Sequence, residues 1–247
     1  MAKQDGLIPL RGSIDNLTFS KSPFGYLAKK KSGPTRKAVL KDENFERTRE
    51  NAAEFKTAVR TATVVRHSLR PILTGSSNVW LNGRMNRLLL QAVRSDKTHF
   101  RGKRAMLPGA LSIMKGFEIN DNNPFTKRKG VLCKTKKNAR KGIVQITIPP
   151  FIPQSALTPP EGATHFQIIS INAALDFKKY TFTNDMQISP LLAISRRKTK
   201  ELTLQHPVIA KARDAQLLAV GILFYKMIDG LEKLLKGGTA KILEAGV

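Results

Sequence analysis

Arg84, Arg87, Gln91 and Arg94 stand at offsets 0, 3, 7 and 10 along a stretch that reads as helix, which lines them up as one cationic stripe. No acidic residue lies between Val79 and Ser95 to neutralise them. Next comes Arg101-Gly102-Lys103-Arg104. Farther on, Lys127-Arg128-Lys129 and Lys134-Thr135-Lys136-Lys137-Asn138-Ala139-Arg140-Lys141 make the densest basic segment. The chemistry open to such residues is charge neutralisation. A cation placed on a phosphate releases counterions and adds affinity that does not depend on base sequence. Arg84, Arg87, Arg94, Arg101, Lys103, Arg104, Lys127, Arg128, Lys129, Lys134, Lys136, Lys137, Arg140 and Lys141 are therefore the expected nucleic-acid contacts. The competing reading of the same residues is a solvated helix face and solvated loops, with any balancing glutamates supplied from elsewhere in the fold.

Other chemistry is not spelled out. His67, His99, His165 and His206 are scattered without metal-ligand spacing, and no Asp-rich calcium loop is present. Phosphate-loop, dinucleotide-fingerprint and nucleophile-elbow motifs are missing. Cys133 stands between basic residues, which would lower its thiol pKa, but one thiol without a committed base does not make a site. Carboxylates are few and gather on the first long helix, so no acid–base pair can be read. The expectation is a non-enzymatic protein with no cofactor and no metal. Zinc fingers, basic zippers and aromatic-bearing RNP strands are absent too. Aromatic residues make up 6% and most are needed by a core, so backbone electrostatics are favoured over base stacking.

The elements that must position these side chains follow from periodicity. Residues 7–31 read as a β-hairpin turning at Ser22-Pro23-Phe24-Gly25, its return strand running into Lys29-Lys30-Lys31. A long helix is expected from Asp42 to about Leu73, burying Phe45, Thr48, Ala52, Phe55, Val59, Ala62 and Leu69, with Pro71 and Gly75 ending it. A second helix, from about 78 to 93, buries Leu81, Met85, Leu88, Leu89 and Ala92. A short helix over 108–115 and a strand over 117–120 follow. Beyond Ile143 the texture changes to short apolar runs: 143–148, 165–171, 180–183 and 217–225 read as strands. Asp229-Gly230 between apolar runs predicts a type I′ hairpin, with Ile242-Leu243 on a last strand. The expected fold class is α+β. An N-terminal β-hairpin plus two or three helices fills 1–142, and an antiparallel β-sandwich-like domain fills 143–247.

Charge sharpens that division. The 247 residues carry a net charge of +25; residues 1–142 hold 31 basic and 10 acidic side chains, and residues 143–247 hold 12 and 8. Self-repulsion of that size persists where a polyanion offsets it, so DNA or RNA is the expected partner, bound with weak sequence selectivity. The alternative is a structural or assembly subunit of a larger particle, phage-like or surface-borne, that self-associates through the β-sandwich. With 41% hydrophobic residues the chain can bury a real core. No apolar run reaches membrane-span length, and the first residues lack a secretory signal. One cysteine excludes an intramolecular disulfide, so a cytoplasmic location or the interior of a particle is expected.

Several stretches carry a resemblance. Leu10-Arg11-Gly12-Ser13-Ile14-Asp15-Asn16-Leu17-Thr18-Phe19, Arg47-Thr48-Arg49-Glu50-Asn51-Ala52-Ala53-Glu54-Phe55, Gly116-Phe117-Glu118-Ile119-Asn120, Gly162-Ala163-Thr164-His165-Phe166 and Gly221-Ile222-Leu223-Phe224-Tyr225 span nearly the whole chain. Together they resemble a family of uncharacterised basic proteins common in Bacteroidota. The resemblance implies a bacterial origin, and brings no activity, cofactor or site residue. Lysine density here is high for the group.

Overall fold

The computed structural model describes every residue except 1, 5–7, 32, 77, 126–130, 139, 141, 210–213 and 247. The chain divides into two compact units, Met1–Arg49 and Glu50–Val247. The composition boundary at Gly142 falls inside the second unit, in the turn between two paired strands.

In the first unit, β1 (Ala2–Lys3), β2 (Gly12–Ile14), β3 (Leu17–Ser22) and β4 (Gly25–Lys30) form one antiparallel sheet in the order β1-β4-β3-β2. The expected hairpin is its centre. Ser22 makes the turn: its hydroxyl accepts from the Phe24 amide at 3.1 Å and donates to the Gly25 carbonyl at 3.0 Å. A short helix α1 (Arg36–Lys41) follows, N-capped by Thr35, whose Oγ1 accepts from Ala38 N. Asp42 caps a 3-10 turn, Glu43–Phe45, rather than the long helix itself.

Helix α2 (Glu46–Ser68) corrects the expected seam. The buried residues are Glu54, Ala58, Thr61, Ala62, Val64, Val65 and Ser68, while Phe55 is 49% exposed. Small side chains let α2 approach its neighbours closely, and that outweighs the one large apolar residue that periodicity singled out. Pro71 does not stop the chain from being helical. It occupies the first turn of α3 (Arg70–Ser76), where its missing N–H has no partner to lose. Gly75 is a packing residue, not a terminator, since a Cβ there would stand 2.8 Å from the Leu223 side chain. Helix α4 (Leu81–Arg94) buries Leu81, Met85, Leu89, Ala92 and Val93, and a 3-10 turn, Pro108–Met114, follows. The expected strand at 117–120 is a short rung along the last strand, with Ile119 N donating to Ala240 O and Ile242 N to Phe117 O.

The remaining elements are β5 (Lys134–Asn138), β6 (Ile143–Ile148), α5 (Pro153–Ala156), β7 (His165–Asp176), β8 (Thr181–Ile188), β9 (Leu192–Ala193), β10 (Leu202–Pro207), β11 (Ala215–Ile228) and β12 (Leu231–Gly246). They build a three-stranded sheet, β10-β6-β5, and a five-stranded sheet, β12-β11-β7-β8 with β9 on β7, all antiparallel. Asp229 (φ 50°) and Gly230 (φ 79°) both adopt the positive φ of a type I′ turn and join β11 to β12. Ile242 and Leu243 lie on that same return strand, which runs on to Gly246, with two irregularities in its pairing.

Strand alternation then assigns two cores. Ile169, Ile171, Ala173 and Leu175 of β7, with Leu217, Ala219 and Leu223 of β11, pack with the helices. Phe166, Ile168, Leu218, Val220, Ile222 and Phe224 pack with Val144, Ile146, Ile148 and Leu204 of the three-stranded sheet. The central strands are thus apolar on both faces, which is why β7 and β11 read as continuous hydrophobic runs. The fold is mixed α+β with antiparallel sheets. Among the described residues, no helix is long and apolar enough to cross a membrane.

Candidate nucleic-acid interface

The arginine stripe on α4 does not stand free. Arg84 donates from Nη1 to the Glu118 carbonyl and from Nη2 to the Ile119 carbonyl, both at 2.8 Å, and its Nε is 3.2 Å from Asp121. Its guanidinium lies 5.0 Å from the centre of the Phe117 ring. Arg84 is a strut between α4 and the 117–121 segment. Arg94 reaches Glu54 at 3.4 Å, and Arg87 is exposed. The balancing carboxylates are Asp121, after the 117–120 segment, and Glu54 on α2, both far away in sequence.

The same helix claims the next basic cluster. Glu54 is 1% exposed and accepts from the Gly102 amide at 3.2 Å and Arg104 Nη1 at 3.3 Å, beside Arg94. Arg101 donates to Asn51 at 2.9 Å and pairs with Glu50 at 3.4 Å. Asp96 ties the loop from within. Its oxygens accept from Ala105 N at 3.0 Å and from Thr98 N and Oγ1 at 2.8 and 2.6 Å, with His99 Nδ1 at 2.7 Å. Those donors, the Ala105 amide foremost, hold the Asp96 carboxyl far below the usual carboxylate range. The loop is rigidly set, and it leaves Lys103 exposed.

Lys103 and Arg104 line an open groove of about 1410 Å³. The β7–β8 hairpin lines the same groove with Lys178, Lys179, Tyr180 and Phe182, and Asp214 lines it too. Asp176 shapes that hairpin by accepting from Lys178 N at 2.8 Å and Lys179 N at 3.0 Å; the Lys179 amide leads in keeping its carboxyl below the ordinary value. Tyr180 takes a left-handed φ of 55°, with the Arg60 guanidinium 5.5 Å from its ring centre. Lys178, Lys179 and Phe182 were not among the residues singled out by sequence. The only hint was a lysine pair beside a turn-forming aspartate.

A third group is brought together by register. Lys134 and Lys136 are exposed on β5, facing Thr147 and Gln145, which face Thr203 and Gln205 on β10. This outer sheet face is polar and carries lysine as its only charge at these positions. Lys137 points to the other side and donates to Gln216 at 3.2 Å, and Arg140 is exposed. Lys127, Arg128, Lys129 and Lys141 lie outside the described residues.

One constellation had no sequence signal at all. His206 Nδ1 is 2.6 Å from Asp185 Oδ2, and His206 Nε2 is 2.7 Å from Ser170 Oγ. These are nucleophile–base–acid distances, assembled from β7, β8 and β10. Ser170 is 0% exposed, however, so its hydroxyl meets no substrate, and the trio works as a polar clamp between the two sheets. Burial lowers the His206 pKa against the opposing pull of Asp185, which leaves a neutral imidazole donating to Asp185 and accepting from Ser170. Cys133 is likewise corrected: burial pushes its thiol up to about 12, so its basic neighbours do not activate it. Among the described residues no three His, Cys, Asp or Glu side chains converge as metal ligands. The chain matches no family model, no curated protein and no solved structure.

Proposed function

We propose that this is a non-enzymatic nucleic-acid-binding protein that meets the phosphate backbone with weak sequence selectivity. The observation that carries the reading is the groove lined both by Lys103, from the 96–105 loop, and by Lys178 and Lys179, from a separate hairpin. Arg84, Arg94, Arg101 and Arg104 are paired with carboxylates of the chain, so the exposed lysines lining the groove are better able to release phosphate counterions. Lys134 and Lys136 extend the basic surface. Binding measured by anisotropy between 50 and 400 mM salt should give a log–log slope of several units. Replacing Lys103, Lys178 and Lys179 together by Gln should lower that slope by about 2–3, near 0.9 per phosphate lost. An unchanged slope would remove the groove from the interface.

A second reading, a structural or assembly subunit in which the two sheets act as a β-sandwich for protein contacts, is favoured by one feature. Phe182, Met186 and Ile188 on β8, the terminal strand of its sheet, are 39%, 44% and 45% exposed. Self-association on a size column without nucleic acid would favour it over the first.

A further inference from the structure

The N-terminal sheet carries two half-buried aromatic rings on one face. Strand register places Lys21 opposite Tyr26, Phe19 opposite Ala28 and Leu17 opposite Lys30, so all six side chains share a face. Phe19 and Tyr26 are diagonal neighbours on the two central strands, roughly 7–8 Å apart in such a pairing. Neither ring is buried. The Arg11 and Lys21 cationic groups lie over the Tyr26 ring, 5.8 and 5.6 Å from its centre, and a stacking base would take their place as they turn to the phosphates. Every charged side chain within the four strands is a lysine: Lys3, Lys21, Lys29 and Lys30. None of the described residues of this unit is buried, although it exposes Ile14 at 56% and Leu17 at 45%.

A sheet of this size gains stability by covering a hydrophobic face. What covers this one must accept cations and offer flat apolar surface. A second copy docked face to face would bring Lys21 and Lys30 against their own equivalents. A single-stranded nucleic acid meets both demands, its bases stacking on rings and its phosphates meeting lysines. We infer that the β3–β4 face is a base-stacking platform for single-stranded nucleic acid, with Phe19 and Tyr26 as the stacking residues and Arg11, Lys21 and Lys30 on the phosphates. Composition favours backbone electrostatics over base stacking; the strand register is what brings two of the few aromatic residues side by side. The inference rests on the nucleic-acid reading above and adds the strand state of the ligand.

The test uses the full-length chain and fluorescein-labelled dT12, U12 and a 12-base-pair duplex, with circular dichroism to confirm folding. Tyr26→Phe keeps a ring and should bind both single strands as the unmodified chain does. Tyr26→Leu keeps apolar area but no ring, and should weaken them about 5- to 150-fold, the equivalent of ~1–3 kcal/mol per stacked base. Duplex binding should not change. The dT and U arms distinguish DNA from RNA. Photocrosslinking of 5-bromouracil-substituted dT12 to the unmodified chain, mapped by mass spectrometry, should label residues 17–30 and needs no variant to fold. Equal losses in Tyr26→Phe and Tyr26→Leu, or crosslinks confined to the Lys103–Lys178 groove, would overturn the platform while leaving the nucleic-acid reading intact. A chain that binds none of the three probes would overturn both, and dimerisation through this face would assign it to a second copy.

Discussion

His206→Leu tests the clamp between the sheets. The substitution leaves the Ser170 hydroxyl, 0% exposed, without its acceptor, and the Asp185 carboxylate without its imidazole donor. An orphaned buried hydroxyl costs about 1–3 kcal/mol. Asp185 is 28% exposed and keeps a 3.1 Å bond from the Gln187 amide, so its share is smaller, about 1 kcal/mol. The expected loss at pH 7.5 is about 2–4 kcal/mol by urea unfolding. The pH profile is the sharper readout. Burial sets the folded pKa of His206 below its unfolded value, so as pH falls below about 6.5 the unfolded chain takes the proton first. Stability supplied by the neutral imidazole is complete above that pH and drains away below it, at no more than about 1.4 kcal/mol per pH unit. The gap between the unmodified protein and His206→Leu should therefore narrow from pH 6.5 to 5. The difference between the two proteins isolates His206 from the other histidines. A constant gap would mean that His206 takes up its proton equally in the folded and unfolded chains. A widening gap would mean that attraction to Asp185 outweighs burial and the imidazole is charged, and either result refutes the argument.

Arg84→Met should cost about 2–4 kcal/mol, because the Glu118 and Ile119 carbonyls lose charge-assisted bonds. It should leave the salt slope of nucleic-acid binding unchanged, and a reduced slope would return Arg84 to the interface. Cys133 should resist a thiol reagent at pH 8 until denaturant is added, since with a pKa of about 12 only about one part in ten thousand is thiolate. Rapid native-state labelling would contradict that burial. The slope change expected for the Lys103, Lys178 and Lys179 variant and the ring dependence at Tyr26 complete the set.

The two long helices, α2 and α4, the Asp229-Gly230 hairpin and most strands were legible because each depends on local terms: apolar period, turn residues and caps. The face of α2 was not, because its burial is decided by neighbours. Glu54 is buried only because Gly102, Arg94 and Arg104 arrive to bond it, and Phe55 is left outside. The densest basic run carries no apolar alternation to mark a strand, yet Lys134–Asn138 is one, and its pairing with β6 sorts Lys136 from Lys137.

Sequence by itself determined the excess of cations, the α+β texture and the strand-forming segments, since these are sums over residues or patterns within short windows. Tertiary structure decided which cations remain exposed. Coulomb pairing acts through space, so a glutamate on α2 can neutralise arginines some 40 to 50 residues away while lysines on two distant loops come to face one groove. It also decided that Ser170, Asp185 and His206 meet, because packing of one sheet on another, and nothing in their spacing, brings three strands together at one point.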